Sequence, residues 1–170
     1  TGRSKGVMLT NSNFICNTNC TIPLYRLQSH WVFVIVGPLF HLAAGSRVFS
    51  STALGGHAVI LPRFDVTSLL GVIERYGVNS ATLVPTMYQM ILDHPDFLSF
   101  NLESLKMLAS GAAPLSAALL RRILEAFPAT EFFQTYGMTE ASPVLTSLDS
   151  KYHVLEGPKS GKLGSVGRPV

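Results

Sequence analysis

From Gly56 onward short β-rich runs alternate with amphipathic helical runs, and this alternation leaves few folds open. A strand that must cross through a helix before the next strand pairs most readily in parallel, so the pattern predicts an α/β fold: a mostly parallel sheet flanked by helices. His57 to Leu61 reads as a strand. Asp65 can then cap a helix with Leu69, Leu70, Ile73 and Tyr76 on one face and Gly77 as its stop. Ser80 to Val84 is the next strand, and Pro85 opens a helix carrying Met87, Met90 and Ile91 that ends before Pro95. Asp96 to Ser99 is a surface connection. Leu105 to Ala109 is a third strand, followed by a Ser116-capped helix with Leu119, Leu120, Ile123, Leu124 and Phe127 on its apolar side, closed by Pro128; Glu131 to Thr135 is a fourth strand.

The 170 residues are 47% hydrophobic and 14% charged, enough apolar surface for one packed core. Trp31 to Gly45 is the most apolar stretch, but Gly37, Pro38 and His41 interrupt it, so it reads as a buried strand running into a loop rather than a membrane span. The net charge of +3 comes from thirteen scattered Lys and Arg residues with no basic stripe, which argues against nucleic acid as a partner. Cys16 and Cys20 have no second Cys or His pair at zinc spacing and read as reduced, half-buried thiols. The ends, Thr1-Gly2-Arg3-Ser4-Lys5-Gly6 and the turn-like Gly164 to Val170 leading into another strand, are both read as cut from a longer chain.

In open α/β sheets ligands gather beyond the carboxyl ends of the strands. Two loops leave such ends here. Ser110-Gly111-Ala112-Ala113-Pro114 has side chains small enough for a flat ring to lie on the main chain, although a tight turn alone would also need them. Gln134-Thr135-Tyr136-Gly137-Met138-Thr139-Glu140 joins an aromatic ring for stacking, a glycine for close approach, a hydroxyl for a phosphate and a carboxylate for Mg2+. A carboxylate repels phosphate unless a metal lies between them, so Glu140 makes sense there only with the ion. Pro38-Leu39-Phe40-His41 sets an imidazole after the apolar strand, where a structural histidine is the plain alternative. The opening loop combines small residues with Lys5 and suits phosphate oxygens, but an ordinary turn serves it equally well. It is not a Walker A loop, because Lys5-Gly6 leads into Val7-Met8-Leu9, which reads as a strand.

In this order and spacing the pieces resemble the adenylate-forming superfamily of acyl-CoA synthetases, coumarate-CoA ligases, luciferases and peptide-synthetase adenylation domains. Thr1 to Val7 looks like the back half of that family's phosphate loop, and Pro38 to His41 like its histidine motif. Ser110 to Leu115 and Tyr136-Gly137-Met138-Thr139-Glu140 look like its adenine-side loops, the last being the most specific. The resemblance implies part of the large domain of such an enzyme, with residues 1–170 a partial AMP-binding domain truncated at both ends and lacking the small C-terminal domain. It implies ATP, Mg2+ and the co-substrate CoA, with a carboxylic acid activated as its adenylate and passed to a thiol.

Residue by residue, the resemblance gives ATP binding to Thr1, Gly2, Lys5, Gly6, Gly111, Ala112, Ala113, Pro114, Gln134, Thr135, Tyr136, Gly137 and Thr139. Lys5 would meet the β- and γ-phosphates, Thr139 the α-phosphate and Glu140 the magnesium, while His41 would lie near the reacting carboxylate and, with Thr139 and Glu140, form the catalytic set. Ser4 departs from the family's usual proline, and the serine- and threonine-rich stretch before Thr1, the ribose-binding aspartate and the catalytic lysine fall outside the sequence. The expectation is a chain inactive by itself. Leu83-Val84-Pro85-Thr86-Met87-Tyr88 and the tail from Gly157 look more like fatty acyl-CoA synthetases than peptide-synthetase modules, a resemblance that implies a fatty acid as substrate; an aryl or amino acid, or a non-catalytic remnant of the family, are the alternatives. The absence of targeting signals is read as a cytoplasmic location, with peripheral contact to a membrane as its variant.

Overall fold

A computed structural model of the protein describes residues 5–170. The expectations for Thr1 and Gly2, and the Ser4 departure, lie outside the described residues. The element order is α1 (Asn11–Leu24), β1 (Val32–Ile35), α2 (Leu42–Ala53), β2 (His57–Ile60), α3 (Val66–Tyr76), β3 (Ser80–Leu83), α4 (Pro85–Leu92), β4 (Met107–Ser110), α5 (Ala117–Ala126), β5 (Glu131–Gly137), β6 (Val144–Leu148) and β7 (Arg168–Pro169). The strands form one sheet in the order β2-β1-β3-β4-β5-β6-β7, parallel from β2 to β5, with β6 and β7 added antiparallel.

The helices start and stop where side-chain chemistry dictates. The Asp65 carboxylate accepts from the Ser68 amide at 2.8 Å and Gly77 closes α3 in the left-handed region at φ 60°, a conformation without cost for glycine. Pro85 opens α4, and the Ser116 hydroxyl accepts from the Leu119 amide at 3.2 Å to open α5. The inner parallel strands β1, β3, β4 and β5 are buried on both faces, successive side chains pointing to opposite sides, whereas the edge strand β2 has no buried residue. Val34, Ala81, Leu108 and Phe132 meet α3, α4 and α5 on one face, with Leu69, Leu70, Tyr88, Leu120 and Ile123 filling that core. Phe33, Met107, Ala109 and Phe133 face the other way, against Tyr25, Leu27 and Leu54. Each fully buried Leu or Phe contributes about 1.5–3 kcal/mol.

Several expectations change. Val7 to Leu9 is not a strand: it pairs with no described strand, and Met8 is almost fully exposed. Instead Thr10 and Asn13 form a capping box that opens α1, an element the sequence did not announce because it carries no apolar stripe. Trp31 to Gly45 does not end in a loop, since α2 begins at Leu42 with His41 as its cap. Cys16 is exposed and Cys20 half-buried on α1. Tyr76 and Met90 are about half exposed, off the apolar faces assigned to them. Glu131 to Thr135 extends two residues further, so Tyr136 and Gly137 belong to β5. Among the described residues no helix is long and apolar enough to cross a membrane, and no three potential ligands cluster to hold a metal.

His153 gives the fold a pH dependence. Its ring lies edge-on to Phe132 with centroids 5.2 Å apart, Nδ1 is 3.2 Å from the Asp149 carbonyl, and Nε2 is buried without a partner. Burial lowers its pKa from 6.5 to about 4. Between those values the unfolded chain binds the proton and the folded one does not, so the contribution is complete above about pH 6.5 and is lost as pH falls toward 4. Denaturant melts should show about 2–3 kcal/mol less stability at pH 4 than at pH 7 from this group. His153→Phe should remove that part of the slope; an identical slope in the variant would exclude the assignment.

Candidate active site

The chain runs from β1 outward to β2 and then back across β1 to β3, so the direction of winding reverses between β1 and β3. Loops diverge at such a point and leave a crevice beyond the carboxyl strand ends. A cavity of about 530 Å3 occupies it. Val36, Gly37 and Pro38 after β1, Leu83 and Val84 at the end of β3, and Gly111 and Ala112 after β4 form its walls, while Thr135 to Thr139 close it from the end of β5.

Sequence-distant candidates meet here. His41, Gly111, Ala112, Thr135, Tyr136, Gly137 and Thr139 all line the one cavity. His41 caps α2 through its backbone only, accepting from the Ala44 and Gly45 amides at 3.0 and 2.9 Å, which leaves the imidazole free of a capping role. Ala112 sits at φ 67°, an uncommon conformation for a residue with a Cβ, and marks the loop after β4 as a constrained turn. Thr135 Oγ1 donates to the Ser110 carbonyl at 3.3 Å, tying β5 to that loop. The Gly111 α-carbon has no room for a side chain, because a Cβ would come within 2.6 Å of Thr135 Oγ1. Tyr136 is 47% exposed, its ring open to the same space.

Other candidates stand apart. Gln134 is buried beside Ser110 in the β4–β5 register, with Oε1 unpartnered, and does not line the cavity. Ala113 and Pro114 are exposed beyond the cavity rim, as are Lys5 and Gly6 at the start of the described chain. Glu140 is exposed and borders a shallow second groove with Asn13, Cys16 and Asn17 from α1. Among the described residues no three potential ligands cluster, and Glu140 offers a single open carboxylate, which is compatible with Mg2+ only where substrate phosphates supply the other ligands.

Three residues that the sequence did not suggest also line the cavity. Tyr25 comes from the end of α1, and Ser46 and Arg47 from the second turn of α2. Arg47 is 5% exposed, with its guanidinium carbon 5.0 Å from the Tyr25 ring centre. Its one signal in the sequence is that it is the single charged residue from Ala43 to Ala53.

The profile of the AMP-binding enzyme family matches residues 1–170. The chain belongs to that family. Feruloyl-CoA synthase from Amycolatopsis sp. is 42% identical over 170 residues, covering 99% of this chain and 33% of the relative. 4-Coumarate–CoA ligase 3 from Arabidopsis thaliana is 34% identical over 174 residues, covering 99% and 31%. Among solved structures, O-succinylbenzoate coenzyme A synthetase from Bacillus subtilis in complex with ATP and magnesium ion superposes with a TM-score of 0.85 at 28% identity, covering all of this chain and 34% of that one. The N-terminal domain of FACL13 from Mycobacterium tuberculosis gives 0.87 at 25% identity, covering 99% and 40%. This AMP-binding chain thus spans about a third of the curated relatives it matches. The parallel sheet flanked by helices is the fold of the family's N-terminal domain, and its relatives are acid-CoA ligases.

Proposed function

We propose that the protein carrying this chain is an ATP-dependent acid-CoA ligase whose substrate is an aryl acid of the phenylpropanoid type. The observation that supports it best is the meeting of His41 with the loops after β4 and β5 around one largely apolar cavity. In the reaction a carboxylate oxygen attacks the α-phosphorus of ATP, and pyrophosphate leaves to give the acyl-adenylate. The sulfur of CoA, having given up its proton, then attacks the acyl carbon and AMP leaves. A carboxylate is a poor electrophile, and the adenylate supplies the leaving group that it lacks. Magnesium bound at Glu140 would offset charge on the phosphates.

Roles then follow for residues of this chain. Gly111 to Pro114 and Tyr136 hold the adenine, with small side chains on one side and an aromatic ring on the other. Gln134 supports that loop from behind, with Thr135. Thr139 donates its hydroxyl to the α-phosphate, and Lys5 with Gly6, Thr1 and Gly2 meets the outer phosphates. His41, at the head of α2, borders the reacting carboxylate.

The sequence pointed to a fatty acid. The relatives at 42% and 34% identity are named for feruloyl-CoA and 4-coumarate instead, and those names support the aryl reading. CoA-thioester formation by the whole protein, measured with hydroxycinnamic, benzoic, medium- and long-chain fatty and amino acids, tests the reading. Hydroxycinnamic acids should give the highest kcat/KM; a fatty or amino acid ahead of them by tenfold would refute the substrate class.

A further inference from the structure

The helix α1 carries a pair of thiols that the catalytic reading does not use. Cys16 and Cys20 stand four residues apart, one turn above the other, with Cys16 exposed and Cys20 half-buried. Both line the second groove, of about 450 Å3, together with Asn13 and Asn17 of the same helix, and Glu140 and Ser142 border it as well. The two sulfurs face each other. The Cys20 thiol is pushed above its usual range by burial first and then by the Cys16 sulfur beside it, so it stays protonated at neutral pH.

Spacing decides what such a pair can hold. Side chains four apart on a helix keep their Cβ atoms about 5–6 Å apart, whereas a disulfide needs about 3.5–4.5 Å. Closing that bond would cost a turn of α1. The helix is held at this level by the Asn17 side-chain amide, which donates to the Val144 carbonyl at 3.0 Å, and by the stacking of Phe14 on Phe49. A single soft atom bonded to both sulfurs spans the gap and leaves the helix intact. Among the described residues no three potential ligands cluster, so the protein offers that atom two thiols and no third ligand. Two sulfurs are too few for a structural zinc. They suit a soft element that brings an organic group of its own, as trivalent arsenic does.

We propose that Cys16 and Cys20 form a dithiol modification site for trivalent organoarsenicals, and that its occupation stops the enzyme through the neighbouring Glu140 turn. In the step the oxygen of R–As=O takes both thiol protons and leaves as water, two As–S bonds form, and arsenic stays trivalent, so no oxidant or reductant enters. A protonated Cys20 is therefore no obstacle. The groove that receives the organic group has Met8 and Leu9 along its wall and the turn Thr139–Ala141 beside it, closed by the Ala141 amide donating to the Met138 carbonyl at 3.0 Å. A group filling that space crowds the Glu140 carboxylate. The inference rests on the acid-ligase reading for its activity arm alone, and arsenic uptake stands apart from it.

The test uses the whole protein, reduced and freed of thiol reagent, wild type against Cys16→Ser and Cys20→Ser, with phenylarsine oxide as the probe. Both variants should fold and exchange pyrophosphate into ATP as the wild type does. By intact mass the wild type should take up one phenylarsenic group more per chain than either variant, and its exchange should fall about 10-fold or more. Each variant should need about 100-fold more probe for the same loss, because the second As–S bond is intramolecular only when both thiols stand on one helix. Dithiothreitol should restore the wild type, and the monothiol mercaptoethanol should not. Equal uptake by the three proteins overturns the site, and extra uptake with exchange unchanged overturns its link to the Glu140 turn. Extra uptake by a wild type that exchanges with no acid at all sustains the site, and it is then the ligase reading that fails.

Discussion

Gly137→Ala is expected to lower acid-dependent pyrophosphate exchange by the whole protein about 100-fold or more. The last residue of β5 faces the turn back into β6, and a Cβ on it would come within 1.8 Å of the Pro143 carbonyl oxygen and 2.7 Å of its carbon. Those are main-chain atoms, so no side chain can swing aside. The same Pro143 oxygen accepts from the Met138 amide at 2.9 Å, and this bond closes the segment that holds Thr139 and Glu140. Alanine must push the two strands apart where their register already shifts, between Tyr136 and Gly137. A shift of about 1 Å in a positioned group is enough to cost two orders of magnitude in rate. Exchange kinetics beside a thermal melt check it: a folded variant retaining activity within a few-fold of wild type would show that the turn does not position the site.

The second large effect is on stability. Phe133→Ala should remove about 3–5 kcal/mol and lower the melting midpoint on the order of 10 °C. Phe133 is fully buried on β5, meets the Tyr25 ring edge-on at 5.3 Å between centroids, and has the Arg26 guanidinium 5.4 Å from its ring centre. It belongs to the smaller of the two cores, where Tyr25 from α1 reaches the sheet, so few neighbours can close over the space it leaves. Because Tyr25 in turn lies against Arg47, the loss should also loosen that wall of the cavity. Leu98→Ala, at a side chain 91% exposed, is the control and should change stability by less than about 0.5 kcal/mol. Equal melts for the two variants would contradict the packing described.

The half of the fold from Gly56 to Gly137 was legible because each element there carries its own local signal. Asp65 and Ser116 cap, Pro85 opens, Gly77 stops, and the apolar positions of α3 and α5 recur at helical spacing toward the sheet. The earlier half hid its helices for a physical reason. The buried positions of α2 include Ser46, Arg47, Ser50 and Ser51, so a reader of apolar periodicity sees no inward face. α1 shows no apolar stripe along its length, and its stacking of Phe14 on Phe49 of α2, at 5.0 Å between centroids, depends on a partner that is invisible in sequence. β6, with only Ser147 and Leu148 buried, gives no clean alternation either, and its antiparallel return depends on the turn at Gly137.

The site divides along the same line. The residues after β4 and β5 could be named because the family's motifs run continuously there, and His41 because the apolar strand leads into it. Tyr25 and Arg47 could not, since a cation belongs to a cavity only once two helices have brought it there. Gln134 and Glu140 do not line the cavity, one lying behind its wall and one bordering the groove along α1, and their roles stay proposals.

On the proposed reading, this chain supplies the acid and nucleotide site of an enzyme that activates a carboxylate as its adenylate. Exchange of labelled pyrophosphate into ATP by the whole protein measures that half-reaction without needing CoA. Label should enter ATP only when an aryl acid is supplied; exchange that ignores the acid, or none with any carboxylic acid, would contradict the account.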